Sequence, residues 1–156
     1  VNDLDALEPW LAGLLAKTEP RQRMALARGV GQIMRRFNAA RVMANVEPDG
    51  TAMAPRNPKK PRKGKKTAKG KAARMFKRIE LARNMQVQPS ADDVSLSFKG
   101  RIAKTARVHH FGEEDAVDPR IRNSIRVRYK ARRLLGFGPG DREALLGEVM
   151  AWLDKR

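Results

Sequence analysis

Residues 93–98 read DVSLSF. Val94, Leu96 and Phe98 alternate with Asp93, Ser95 and Ser97, and because successive side chains of a strand point to opposite faces, this alternation predicts a half-buried strand. It brings a sheet into a chain whose two ends both read as helix. Just upstream, Gln88–Asp93 supplies a hairpin turn. Before that, ARMFKRIELARNMQVQ (73–88) reads as a short helix or strand leading into a strand.

Downstream, RIAKTARVHHFG (101–112) fits a short helix with Ile102, Ala106 and either His109 or His110 on one face, closed by Gly112. A strand is the alternative. EEDAVDPRIRN (113–123) reads as a polar connection, and Ile125, Val127 and Tyr129 alternate through a further strand. GFGPG (136–140) is a turn. After it comes a final helix with Asp141 as N-cap, Leu145, Val149, Trp152 and Leu153 as its buried face, and Lys155 and Arg156 at its negative dipole end.

The first third predicts two helices. Leu4, Leu7, Leu11, Leu14 and Leu15 recur on one face, with Pro9 marking a start or a kink. Thr18 then caps a second helix with Pro20 in its first turn, running to about Asn45 with Leu26, Val30, Ile33, Met34 and Phe37 on one face. Gly29 and Gly31 each cost that helix about 1 kcal/mol against alanine, which points to close packing there. Pro48 and Asp49-Gly50 end it in a turn. The fold class is α+β: N-terminal helices, a small and mainly antiparallel sheet, a C-terminal helix and a long basic loop insert. One domain over residues 1–156 is expected, with 50–74 as the flexible basic loop.

That loop is the strongest physical signal. Of a net charge of +17, residues 55–79 carry +12 with no carboxylate among them, leaving +5 elsewhere. The positions of interest are Arg56, Lys59, Lys60, Arg62, Lys63, Lys65, Lys66, Lys69, Lys71 and Arg74. Such a block repels itself until an anionic partner neutralises it. Phosphate contacts would be blind to sequence, and about 6–10 of them would weaken about 10³–10⁵-fold between 50 and 200 mM salt. Phe76 is the only aromatic in the run, so no stacking platform for single strands is present. DNA backbone and an acidic protein face remain as partners of equal standing.

Other chemistries find little support. There is no cysteine, which excludes disulfides and cysteine-ligated metal and suits a reducing cytoplasm. No apolar stretch approaches the ~20 residues of a membrane span, and the acidic start is unlike a signal peptide. His109 and His110, with Glu113, Glu114 and Asp115 nearby, invite a metal-dependent nuclease reading. Adjacent side chains diverge, however, and one buried and one exposed histidine is the simpler account. GFGPG lacks the lysine of a phosphate loop. No catalytic residue, metal or cofactor is expected.

The segments flanking the run point further. RRFNAARVMANVEPDGTAMAPR, the basic tract, RMFKRI, VHHFG and YKARRLLGF, in that order, resemble the tail completion proteins of contractile-tailed phages, the gpS-like relatives of virion morphogenesis proteins. The resemblance rests on Arg41-Val42, on Asp49-Gly50 through Pro55-Arg56, on Val108, His109, Phe111 and Gly112, and on Arg132, Leu134, Leu135, Gly136 and Phe137. Lys130 and Arg133 stand where that family usually has prolines.

The resemblance implies a structural virion protein, not an enzyme, that completes the tail and lets it join a DNA-filled head. It would act in the tail-neck region of the virion, after assembly in the host cytoplasm. It further implies a ring, commonly a hexamer, between a head connector or neck protein and a tail terminator or tail-tube protein. DNA in the neck channel is a further candidate partner, and no membrane is involved. VHHFG and ARRLLGF would be fold-defining segments near a subunit interface. A cellular, sequence-nonspecific nucleic-acid-binding protein with a basic arm is the alternative.

Overall fold

A computed structural model describes residues 13, 16, 18–55, 75–76, 78–118 and 120–155. Leu4, Leu7, Leu11, Leu14 and Leu15 and the basic residues Arg56 to Arg74 lie outside the described residues.

Helix α1 spans Pro20–Ala44. Proline enters at its first turn, where a missing N–H costs nothing. Glu19, not Thr18, holds the N-cap position, and no side chain caps the helix there. At the other end Asn45 adopts a left-handed conformation (φ 56°) and its N–H returns to Val42. The buried side of α1 is Gly31, Asn38 and Val42. Leu26, Val30, Ile33, Met34 and Phe37 are only half-buried.

Strands β1 (Met85–Pro89) and β2 (Val94–Phe98) form an antiparallel hairpin with Pro89 opposite Val94. Ser90 caps its turn by accepting from the Asp92 and Asp93 amides. This sheet lies across α1, and Gly31 explains how closely. A Cβ there would clash with Val87 and stand 2.7 Å from Val94 Cγ2. Gly29 has open space around it, so the expectation of close packing holds at one glycine of the two.

Helix α2 (Arg101–Phe111) resolves the ambiguous stretch as helix, closed by Gly112 at φ 69°. The stretch read as a polar connection contains strand β3 (Glu114–Ala116), paired antiparallel with β4 (Arg126–Arg128). Its acidic residues are compatible with pairing because Arg126 and Arg128 lie opposite. Among the described residues the strands therefore form two separate two-stranded sheets instead of one.

Helix α3 (Asp141–Asp154) packs against α1. Gly140 at φ 79° takes the N-cap position expected for Asp141, which is already helical and buried. Leu145, Val149 and Trp152 are half-buried, but Leu153, expected on the buried face, is exposed, and Met150 is 59% exposed. The core sits at the C-terminal end of α1, where Val42, Met53, Phe76, Ile79, Ala106 and Leu134 close on one another.

Candidate assembly site

The segment Lys130–Gly138 has no regular secondary structure, so its backbone groups need partners from elsewhere. They find them on three sides, beside the residues that precede and follow the basic run in the chain.

From α1, Asn38 is 2% exposed and accepts from the Gly136 amide (2.9 Å), while its amide group donates to Met34 O. Arg41, one turn on, donates to Gly136 O (2.9 Å) and forms a buried ion pair with Asp141 (2.8 Å). Asp141 also accepts from the Gly138 amide at 2.9 Å. Gly138 fits because a Cβ there would stand 2.7 Å from the Arg41 guanidinium. One guanidinium thus holds the glycine turn and the start of α3 together. Its Nε is buried without a partner among the described residues, a cost the other contacts offset.

From α2, Leu134 N–H donates to His110 Nδ1 (3.2 Å) and Arg132 N–H to His109 O (2.7 Å). Burial, aided by Arg133, depresses the His110 pKa below its usual 6.5, against a smaller upward pull from Glu47. The neutral ring is the form that can accept the Leu134 N–H. His109 is 8% exposed, edge-on to Phe76 (5.1 Å) and Tyr129 (4.8 Å). Arg132 Nη1 lies 3.3 Å from its Nδ1, and since a guanidinium can only donate, that nitrogen accepts. Both histidines are hydrogen-bonded within the fold, and neither is exposed.

The third side is the root of the basic run. Arg132 is 4% exposed, and burial lowers its pKa below the usual arginine range despite a smaller upward pull from Glu47. Its donors go to Ala54 O (2.6 Å), Pro55 O (3.0 Å) and Lys130 O (3.0 Å). Carbonyl dipoles hold this cation in place of a carboxylate. Asn45 completes the root: its O accepts from Met53 N–H (2.8 Å), and its Oδ1 from Met75 N–H (3.0 Å). One residue therefore ties the chain before the run to the chain after it. The Asp49-Gly50 turn braces the approach through Val46 paired with Ala52 and Gly50 at φ 90°. The Thr51 hydroxyl, then its amide, holds the Asp49 carboxyl below the usual range.

The structure thus brings the resemblance segments together. Asp49, Gly50, Val108, His109, Gly112, Arg132, Leu134 and Gly136 form or brace the root, mostly from within. Gly112, for instance, lies so near Ala131 that a Cβ would stand 3.0 Å from its amide. Phe111 (67%) and Phe137 (51%) are exposed, and Leu135 is half-buried. Those two phenylalanines are the large apolar members that are exposed. The basic residues themselves (Arg56, Lys59, Lys60, Arg62, Lys63, Lys65, Lys66, Lys69, Lys71, Arg74) lie outside the described residues. Residue-type reasoning missed Asn38 and treated Arg41 as a family signature beside solvated arginines. Only the packing reveals what they bind. Among the described residues, no three His, Asp or Glu side chains are placed to hold a metal, and no helix is long and apolar enough to cross a membrane.

A profile of the phage virion morphogenesis family matches residues 2–154. Tail completion protein S of Escherichia phage P2 is 32% identical over 158 residues, covering 99% of this chain and all of that protein. No solved structure matches.

Proposed function

This chain belongs to the phage virion morphogenesis family, and from that premise we infer that it is a structural protein that completes the phage tail during virion assembly. The observation that carries the reading is the match from end to end with a tail completion protein. No enzymatic role is assigned: His109 and His110, the one pair that invited a nuclease reading, are engaged by Arg132 and Leu134.

The finer reading is a ring, a hexamer matching tail symmetry, set in the neck between a head connector or neck protein and a tail terminator or tail-tube protein. It would let a finished tail join a filled head. Six copies of the basic run would gather about seventy positive charges, and repulsion of that size calls for an anionic counterpart. DNA in the neck channel and an acidic face of a neighbouring protein both qualify. The packing around Arg132 and Asn45 supports this reading, since it would present each run from a defined point.

Electron micrographs of lysates from a phage with a stop codon in this gene test the proposal. Filled heads beside full-length, unattached tails are expected. Normal virions would overturn it, and the nucleic-acid-binding alternative would then lead.

A further inference from the structure

The turn that precedes β1 holds an arginine in a conformation that arginine seldom adopts. Arg78 has φ 73°, a left-handed backbone that glycine or asparagine takes at less cost. The fold fixes it there, because Arg78 O accepts from Leu81 N–H (3.3 Å) and from the Asn84 side-chain amide. Yet the Arg78 side chain is exposed and meets no carboxylate among the described residues. A strained position that keeps a long cation without a partner in its own fold points to a partner outside it.

Asn84 gathers three more cations around this one. Its carbonyl accepts from Lys99 N–H (3.0 Å), which sets the end of β2 beside the start of β1. Arg83 precedes Asn84, and Arg101 follows Lys99 by two residues at the start of α2. Arg78, Arg83, Lys99 and Arg101 are all exposed, and among the described residues none of them forms an ion pair. Other surface cations behave differently: Lys104, Arg107, Arg120 and Arg126 each pair with a carboxylate. Glu80, the carboxylate within the turn, has its Oε2 buried in the protein. Asp92 and Asp93 lie at the opposite end of the β1–β2 hairpin. Outside the described residues the chain has three carboxylates, Asp3, Asp5 and Glu8, against ten cations between residues 56 and 74. Those three are too few to neutralise the run and this patch together.

We propose that Arg78, Arg83, Lys99 and Arg101 form a contact for the phosphate backbone of duplex DNA, following in sequence the basic residues that end at Arg74. The inference rests on the reading above that places DNA among the partners, and it commits that reading to one surface. Leu81, 36% exposed, is the one exposed large apolar side chain from Arg78 to Lys104. A protein partner would need an apolar centre to bury. Phosphate contacts instead come from arginine, lysine and small polar groups. No aromatic in this stretch is exposed to stack on bases, so the contact is blind to sequence.

The test titrates the full chain with a labelled duplex of arbitrary sequence over a range of salt concentrations. Replacing all four residues by glutamine is expected to lower the slope of log affinity against log salt by about 3–4, the value for four phosphate contacts. The control replaces Arg21, Arg28, Arg122 and Arg142, four exposed cations that also lack an ion pair among the described residues. It removes the same charge and should change the slope by less than about 1. Arg78→Gly removes strain and charge together, so its melting temperature should be no lower than that of the wild type while its affinity falls. Equal changes from both fourfold variants, or a wild-type chain that does not bind the duplex even at low salt, overturn the patch. A patch variant that binds DNA like the wild type but fails to join heads to tails in the stop-codon phage would make an acidic protein the partner, and the DNA assignment would fall. Each of these outcomes leaves the completion role standing, which the stop-codon phage decides by itself.

Discussion

Arg132 is the most demanding residue in the fold. A buried cation held by three carbonyls is stable only while the geometry of its planar, five-donor head is met. Lysine carries the charge but is a compact point with three donors. Arg132→Lys is therefore expected to cost about 2–4 kcal/mol in urea unfolding, by leaving Ala54 O, Pro55 O or Lys130 O unpaired. A loss within about 0.5 kcal/mol would mean that these carbonyls reach water instead. His110 predicts a pH dependence. Its folded pKa is depressed, so its stabilisation is fully present above about pH 6.5, where both states are neutral. Below that, the unfolded chain takes up the proton first, and stability falls until the folded pKa is reached. Protonation also turns Nδ1 from acceptor to donor and breaks the Leu134 bond. His110→Asn should flatten the unfolding free energy across this window, and an unchanged slope would place its origin elsewhere.

At the scale of elements, α1 decides where the sheet sits. Its two glycines look alike in sequence but have different surroundings. Gly29→Ala meets nothing within 4 Å and should raise stability by up to about 1 kcal/mol. Gly31→Ala drives a methyl into Val87 and Val94, forcing the β1–β2 hairpin off the helix, and should lower stability by about 1–3 kcal/mol. Thermal melts of the two variants check the contrast, and shifts in the same direction would contradict the packing described. Helix α3 is anchored mainly at its start, where Asp141 meets Arg41, and leaves Leu146 and Met150 outside. Arg41→Ala strands a buried carboxylate and is expected to cost about 3–5 kcal/mol.

For the molecule as a whole, the division of labour is between a root and a charged run. Among the described residues, the root contacts come from Asn45, Arg132 and the segments they bind. Replacing Lys59, Lys60, Lys63, Lys65 and Lys66 by glutamine should therefore leave urea unfolding unchanged and impair head–tail joining. Phage yield and the count of unjoined tails measure it. Full yield would show that the charge is dispensable.

The sequence by itself determined what repeats locally. Strand β2 followed from the alternation of Val94, Leu96 and Phe98, and the extent of α1 from Pro20 and its apolar spacing. The end of α2 followed from Gly112, and the concentration of charge from a simple count. The resemblance segments were also legible, and with them the family. What only the tertiary structure decided were long-range pairings that leave no local mark. β3 is acidic and short, and it is a strand because Arg126 and Arg128 happen to lie across from it. Met150 is apolar, yet it is 59% exposed. Residue type does not mark Asn38, and Arg41 reads as a family signature and Asp141 as a cap, yet Asn38 and Arg41 hold a glycine turn about a hundred residues away in sequence and Asp141 closes it from the start of α3. The reason is physical: periodicity reports which face of an element is apolar, whereas a buried polar group is defined by the partner that satisfies it, and that partner is chosen by the fold.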